Sequence, residues 1–189
     1  MQLNGVRIEE SLKGVNQGVE GLERSMAFSL RDSIHLVSDP AHLDSSVDEV
    51  FRLMLGVACT RHAKSLAQPP PERESVTAVV GFGGRLSGAC VFRCDARAAM
   101  KVAEHMTGME FREIDDMVKD GIGEICNMLA GAWKGKVPEL AASCGLSVPA
   151  VITGRDYNLH VQAPEFQLRH TYGFDGTSFD VTIVCDGLQ

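Results

Sequence analysis

With 189 residues, 44% of them hydrophobic and 23% charged, the chain can bury a sizeable core as an ordinary globular domain. A formal net charge of -7 argues against a nucleic-acid footprint, which needs clustered Lys and Arg, and fits a protein or small-molecule partner. Residues 1–25 carry charges throughout, so they are not read as a secretory signal, and no run reaches membrane-spanning length. The expected location is therefore the cytoplasm. Six scattered cysteines (Cys59, Cys90, Cys94, Cys126, Cys144, Cys185) include no C-x-x-C pair and read as free thiols in a reducing compartment. The six histidines form no H-x-x-x-H pair, so no metal site and no cofactor of the chain's own is expected.

The first element is a helical seam. Ile8, Leu12, Val15, Val19, Leu22 and Met26 recur with alternating gaps of four and three, while Gly5, Gly14, Gly18 and Gly21 weaken the helix. Two readings stay open: a frayed helix packed on its own domain, or a docking or dimerising helix. Residues 1–44 are accordingly assigned to an N-terminal extension, and 45–189 to the main domain. A turn is placed at Asp39-Pro40. A helix then begins with Ser45 or Ser46 as N-cap, where Ser46 and Glu49 make a capping box. Val47, Val50, Phe51, Met54, Leu55 and Ala58 are its expected buried face, and Pro69-Pro70-Pro71 ends it.

Strands at about 75–82 and 87–94 follow, with a turn at Gly83-Gly84 between them. Cys90 and Cys94 fall on one face of the second strand. Asp95 caps a helix over about 96–106 that stops at Gly108, and a longer helix spans about 113–135. The remainder reads as strands near 147–153, 157–163, 166–173 and 178–185. The pattern is that of an α+β fold. The two halves echo each other: Leu53-Met54-Leu55-Gly56 matches Asn127-Met128-Leu129-Ala130, and Gly81-Phe82-Gly83-Gly84 matches Gly173-Phe174-Asp175-Gly176. A duplicated helix-plus-hairpin unit accounts for both matches.

The segment that points to chemistry is in the later helix. Asp120, Glu124, Asn127 and Gly131 step by four, three and four, which puts them on one helical face. Ile122, Ile125, Cys126, Leu129 and Trp133 take the opposite, core side. Gly121, Gly123, Ala130 and Gly131 flank the polar ridge, and such small residues let another surface approach closely. From spacing alone, a solvated polar face is the ordinary explanation of such a ridge.

Asp120, Glu124 and Asn127, followed about two dozen residues later by Pro149, resemble the signature of the CheC/CheX/FliY family of receiver phosphatases. The proline gap is one residue shorter than the family's spacing. The resemblance covers about residues 45–188, including the segments VDEVFRLMLG and GRLSGACVF. It implies two pseudo-repeated long helices on a mainly antiparallel sheet. Pairing the helices through their matched segments sets Ser46, Val50 and Leu53 opposite Asp120, Glu124 and Asn127, so the chain resembles the single-site, CheX-like branch.

The function so implied is hydrolysis of the aspartyl-phosphate on a CheY-like response-regulator receiver, whose own Mg²⁺ is expected in that partner. Asn127 would orient the attacking water and Glu124 would pair with a receiver lysine. Asp120, Gly121, Gly123 and Gly131 would line the contact. The alternative is a non-catalytic receiver-binding or dimeric scaffold, with terminal strands such as 178–185 free to pair across a two-fold. No C-x5-R loop, D-x-D-x-[TV] motif or P-loop is present to support another phosphatase chemistry.

Overall fold

A computed structural model of the protein describes residues 34–63, 74–155, 157, 159, 160 and 164–189. The seam at 8–26 and the proline linker lie outside these residues. The described chain runs α1 (Ile34–Val37), α2 (Pro40–Leu55), β1 (Thr60–Arg61), β2 (Ser75–Gly84), β3 (Leu86–Asp95), α3 (Ala96–Thr107), α4 (Asp116–Gly135), α5 (Pro138–Ala141), β4 (Cys144–Leu146), β5 (Ala150–Gly154), β6 (Phe166–Phe174) and β7 (Thr177–Leu188). Among the described residues no helix is long and apolar enough to cross a membrane.

The strands form one sheet in the order β1-β6-β7-β3-β2-β4, with β5 also on β2, and every pairing is antiparallel. Two hairpins, β2–β3 and β6–β7, meet at the central β3–β7 pair. An antiparallel centre relates them by an approximate two-fold normal to the sheet, as the duplicated unit requires. Alternation along the strands sends Val76, Ala78, Val80, Cys90, Phe92, Cys94, Phe179, Val181 and Ile183 to the buried helix-facing side. Helix α2 lies over the β6–β7 half, where Phe51 stacks on Phe179 with ring centroids 4.5 Å apart. Helix α4 covers the other half, with Trp133 5.3 Å from Phe82 and Cys126 Sγ donating to Ala78 O and Cys90 O.

Several boundaries differ from the sequence reading. Helix α2 starts at Pro40, with Asp39 as N-cap accepting from Ala41 N at 2.9 Å. Proline suits the first helical position because its missing N–H would have no partner there. Ser46 lies inside the helix, buried, and its hydroxyl donates to His42 O at 2.7 Å. The helix stops at Leu55, with Gly56 in the left-handed conformation, so Ala58 lies beyond it and Met54 is exposed. The domain boundary expected at 44/45 cuts through packed structure: Val37 and Leu43 are in the core. Asp44 also accepts from Tyr172 OH at 2.7 Å and pairs with Arg61, 2.7 Å, and His170, 3.0 Å.

At the other end, β7 lies between β6 and β3, so the 178–185 segment is internal and cannot offer a free edge for dimerisation. Tyr157, Leu159 and His160 are not in a strand. Instead Tyr157 lies under Arg93, whose guanidinium carbon is 5.1 Å from the ring centroid, and its hydroxyl is 2.7 Å from Thr77 Oγ1.

Burial also shifts the register between the repeats by one residue. The buried positions align as Leu43 with Val118, Val47 with Ile122, Val50 with Ile125, Phe51 with Cys126 and Leu55 with Ala130. The ridge then corresponds to Ser45, Glu49 and Arg52, all exposed, rather than to Ser46, Val50 and Leu53. The first copy keeps an acid, but Glu49 is paired with Lys136, and Arg52, paired with Asp48, stands in the amide's place.

All six cysteines are free. Burial pushes the Cys59 thiol up to about 12 and Cys185 up to about 11, and raises Cys94, Cys144 and the Tyr172 phenol. The Cys90 thiol is raised by its hydrogen bond with Cys126 together with burial. An acid held neutral by the fold contributes full stability below its unfolded value, near 9.0, and loses it as pH climbs toward the folded value. The denaturant midpoint is therefore expected to fall steadily from about pH 9 to pH 11. A flat profile there would contradict these assignments.

Candidate active site on helix α4

Helix α4 starts where Asp115 caps it, its carboxylate accepting from Val118 N at 2.9 Å. At the far end Lys134 Nζ bonds Cys144 O at 2.5 Å and Ala141 O at 3.0 Å, tying the helix to β4. Between these anchors the apolar side, Val118, Ile122, Ile125, Cys126, Leu129 and Trp133, is fully buried. The same periodicity leaves Asp120 and Glu124 exposed and Asn127 half-buried on the outer face. Among the described residues no hydrogen bond or ion pair engages these three side chains, whereas neighbouring Asp116 and Lys119 pair at 3.0 Å.

The glycines explain how tightly the ridge is flanked. A Cβ on Gly123 would sit 3.4 Å from Pro149 Cβ and 3.4 Å from Val151 Cγ2, so the edge strand packs directly against the helix there. A Cβ on Gly121 would sit 3.4 Å from Met106 Sδ, and α3 closes on that side. Gly131 has only Leu146 Cδ1 nearby, at 4.0 Å. Gly123 is buried, which corrects its expected place on a partner-facing surface: its missing side chain makes room for Pro149. Each glycine costs the helix up to about 1 kcal/mol relative to Ala, and intramolecular contact uses the space that two of them leave. On the helical wheel Asn127 leans toward Pro149 and Glu124 toward α3. Thus the ridge runs between two fixed walls, with amide and carboxylate one turn apart.

Comparison with known proteins decides the family. The family described as "Chemotaxis phosphatase CheX" matches residues 76–170, a span that includes all of α4 and Pro149. The chain belongs to the CheX family. The "CheY-P phosphatase CheX" of Thermotoga maritima is 30% identical over 118 residues, covering 62% of this chain and 76% of that protein. A crystal structure of the chemotaxis protein CheX from Desulfovibrio desulfuricans superposes with a TM-score of 0.64 at 21% identity, covering 79% of this chain and 98% of the other. The CheX–CheY–BeF3–Mg²⁺ complex of Borrelia burgdorferi gives a TM-score of 0.60 at 23% identity, covering 78% and 96%. These two structural likenesses bear on the fold, which is that of CheX.

In this CheX-family chain, sequence reasoning found the ridge but missed two exposed apolar residues at its margins. Met117 lies one turn before Asp120, and Val148 precedes the proline that packs on Gly123. Periodicity did not mark Val148, because its exposure depends on a long-range strand pairing. Among the described residues, no group of three or more His, Cys, Asp or Glu is placed to hold a metal ion.

The cap on α4 supplies a direct test of how far helix order governs the site. Asp115→Ala removes the acceptor from Val118 N and should lower stability by about 1 kcal/mol. Glu124 and Asn127, about two and a half and three turns further along the helix, should keep their activity in the folded fraction. Denaturant unfolding beside an activity titration checks both statements.

Proposed function

We propose that this chain is a phosphatase that hydrolyses the aspartyl-phosphate of a CheY-like response-regulator receiver. The observation that carries the reading is Asn127, an unengaged amide half-buried beside Pro149 and one turn from an exposed, unengaged Glu124. An amide can accept from a water through its oxygen and donate through its nitrogen, which fits it to hold a water at fixed orientation. The T. maritima relative named a CheY-P phosphatase, and the B. burgdorferi CheX solved with CheY, support the same substrate class.

The chemistry asks little of this chain. An acyl phosphate is already activated, and the receiver's own Mg²⁺ would neutralise phosphoryl charge there; no cofactor is assigned to this chain. Asn127 orients the water in line with phosphorus. The water oxygen bonds to phosphorus, the bond to the aspartyl oxygen breaks, and the carboxylate leaves, with both water protons carried off on inorganic phosphate. Such catalysis is positioning, and each tenfold in rate needs only about 1.4 kcal/mol of barrier. Glu124 pairs with a lysine of the receiver's active site, Asp120 and Gly131 lie in the contact, and Gly121 and Gly123 act by letting α3 and Pro149 close on the ridge.

A scaffold without catalysis would bind the receiver one-for-one. The distinguishing experiment mixes substoichiometric chain with a molar excess of phosphorylated receiver. Release of more than one equivalent of phosphate per chain, at a rate above that of the receiver alone, supports the phosphatase. Complex formation with release no faster than from the receiver alone would replace it with the scaffold.

A further inference from the structure

The edge strand beside the ridge is not regular. β4 pairs with β2 through Phe82↔Leu146, and β5 resumes at Val79↔Ala150. Two residues of β2, Val80 and Gly81, therefore face three residues of the edge, Ser147, Val148 and Pro149. That is a one-residue bulge, a device that bends an edge strand and re-aims its side chains. Ser147 fixes it from both sides: its N–H donates to Gly81 O at 2.9 Å, and its Oγ accepts from Gly81 N at 2.8 Å. The same hydroxyl donates to Val148 O at 2.9 Å.

The consequence of the bulge is a division of labour between neighbours. Pro149 turns onto Gly123, between Asp120 and Asn127 along the helix. Val148 is left 85% exposed on a pinned backbone, immediately next to that contact. No packing within the described fold uses this side chain. A rigid apolar knob costs little conformational entropy when it is covered by a partner, because valine has one χ angle and the backbone is already held.

We propose that Val148 is a specificity-determining contact for the receiver, an apolar anchor that seats beside the phosphorylated aspartate while the polar ridge addresses the phosphoryl group. The inference rests on the phosphatase reading of α4 and extends it to a residue outside the helix. It requires an apolar patch on the receiver at the rim of its phosphorylation site.

The test compares Val148→Asp, Val148→Leu and a control, Leu53→Asp, at an equally solvent-facing apolar position on α2, 73% exposed. Steady-state dephosphorylation is measured together with binding of the receiver carrying beryllium fluoride and Mg²⁺. Val148→Asp should raise KM and Kd together by about tenfold or more, with kcat at saturation within about twofold of wild type. Val148→Leu and Leu53→Asp should stay near wild type, and thermal unfolding should be unchanged in all three. Unaltered KM and Kd in Val148→Asp, with wild type turning over normally, would overturn the inference and leave the phosphatase reading intact. An equal rise in Leu53→Asp would also overturn it, by showing that any surface charge suffices. A wild-type chain that accelerates no receiver would overturn the phosphatase reading instead, and the inference with it.

Discussion

Asn127→Ala is expected to cut receiver dephosphorylation by about a hundredfold or more while leaving receiver binding in place. The Asn127 side chain makes no bond within the described fold, so its removal strands no buried partner. Ala is the better helix former, by about half a kcal/mol, so α4 should lose no stability. In the proposed mechanism, binding would run through Glu124 and the margins of the ridge, which the variant keeps. Asn127→Asp sharpens the test, because it preserves the shape and an acceptor but removes the N–H donors and brings negative charge toward the phosphoryl group. It should be as inactive as the alanine variant. Loss of binding together with activity would point to docking as the amide's role.

The largest stability effect is expected from Phe51→Ala. Phe51 is fully buried at the junction of α2 and the sheet, stacked on Phe179 at 4.5 Å and edge-on to Phe174 at 5.4 Å. Phe92 completes the cluster at 6.5 Å. Truncation removes transfer free energy and leaves a cavity among rings that cannot collapse without losing their own contacts, a loss of about 3–5 kcal/mol. For a chain of this length that corresponds to a fall in Tm of about 6–20 °C. Because α4 packs on the other half of the sheet, the folded fraction should retain its turnover. A loss of under about 1 kcal/mol in the free energy of denaturant unfolding would show that the aromatic cluster is looser than its geometry implies.

How much of this was legible beforehand depended on how local the cause was. Helix α3 was read almost to the residue, since Asp95 accepting from Ala98 N and Gly108 in the left-handed conformation are short-range chemistry. The start of α2 was missed because two local signals competed. Ser46 and Glu49 spelled a capping box, but Asp39 with Pro40 behind it formed the real cap, and Ser46 turned its hydroxyl back to His42.

The ridge itself followed from helical spacing, yet Gly123 was placed on the wrong side of it. What fills the space above a glycine is a long-range fact, here Pro149. The same applies to the bulge at Ser147: the sequence shows one strand over 147–153, and only the pairing with β2 reveals the extra residue that exposes Val148. The repeat was visible in composition, but its register shifted by one, because identity at four positions carries less information than a whole pattern of burial. With the corrected register the first copy shows Arg52 where the second has Asn127. An arginine has no acceptor with which to hold a water, so one helix is expected to be active.

The proposed loss of receiver phosphate through Glu124 and Asn127 of α4 is tested most directly by phosphate decay from a panel of the host's receivers, alone, with wild-type chain and with Glu124→Ala/Asn127→Ala. Decay of one receiver should be faster with wild type and run at the receiver's own slow rate with the double variant, still folded by circular dichroism. Equal acceleration by wild type and the double variant would contradict the proposal, as would no acceleration of any receiver.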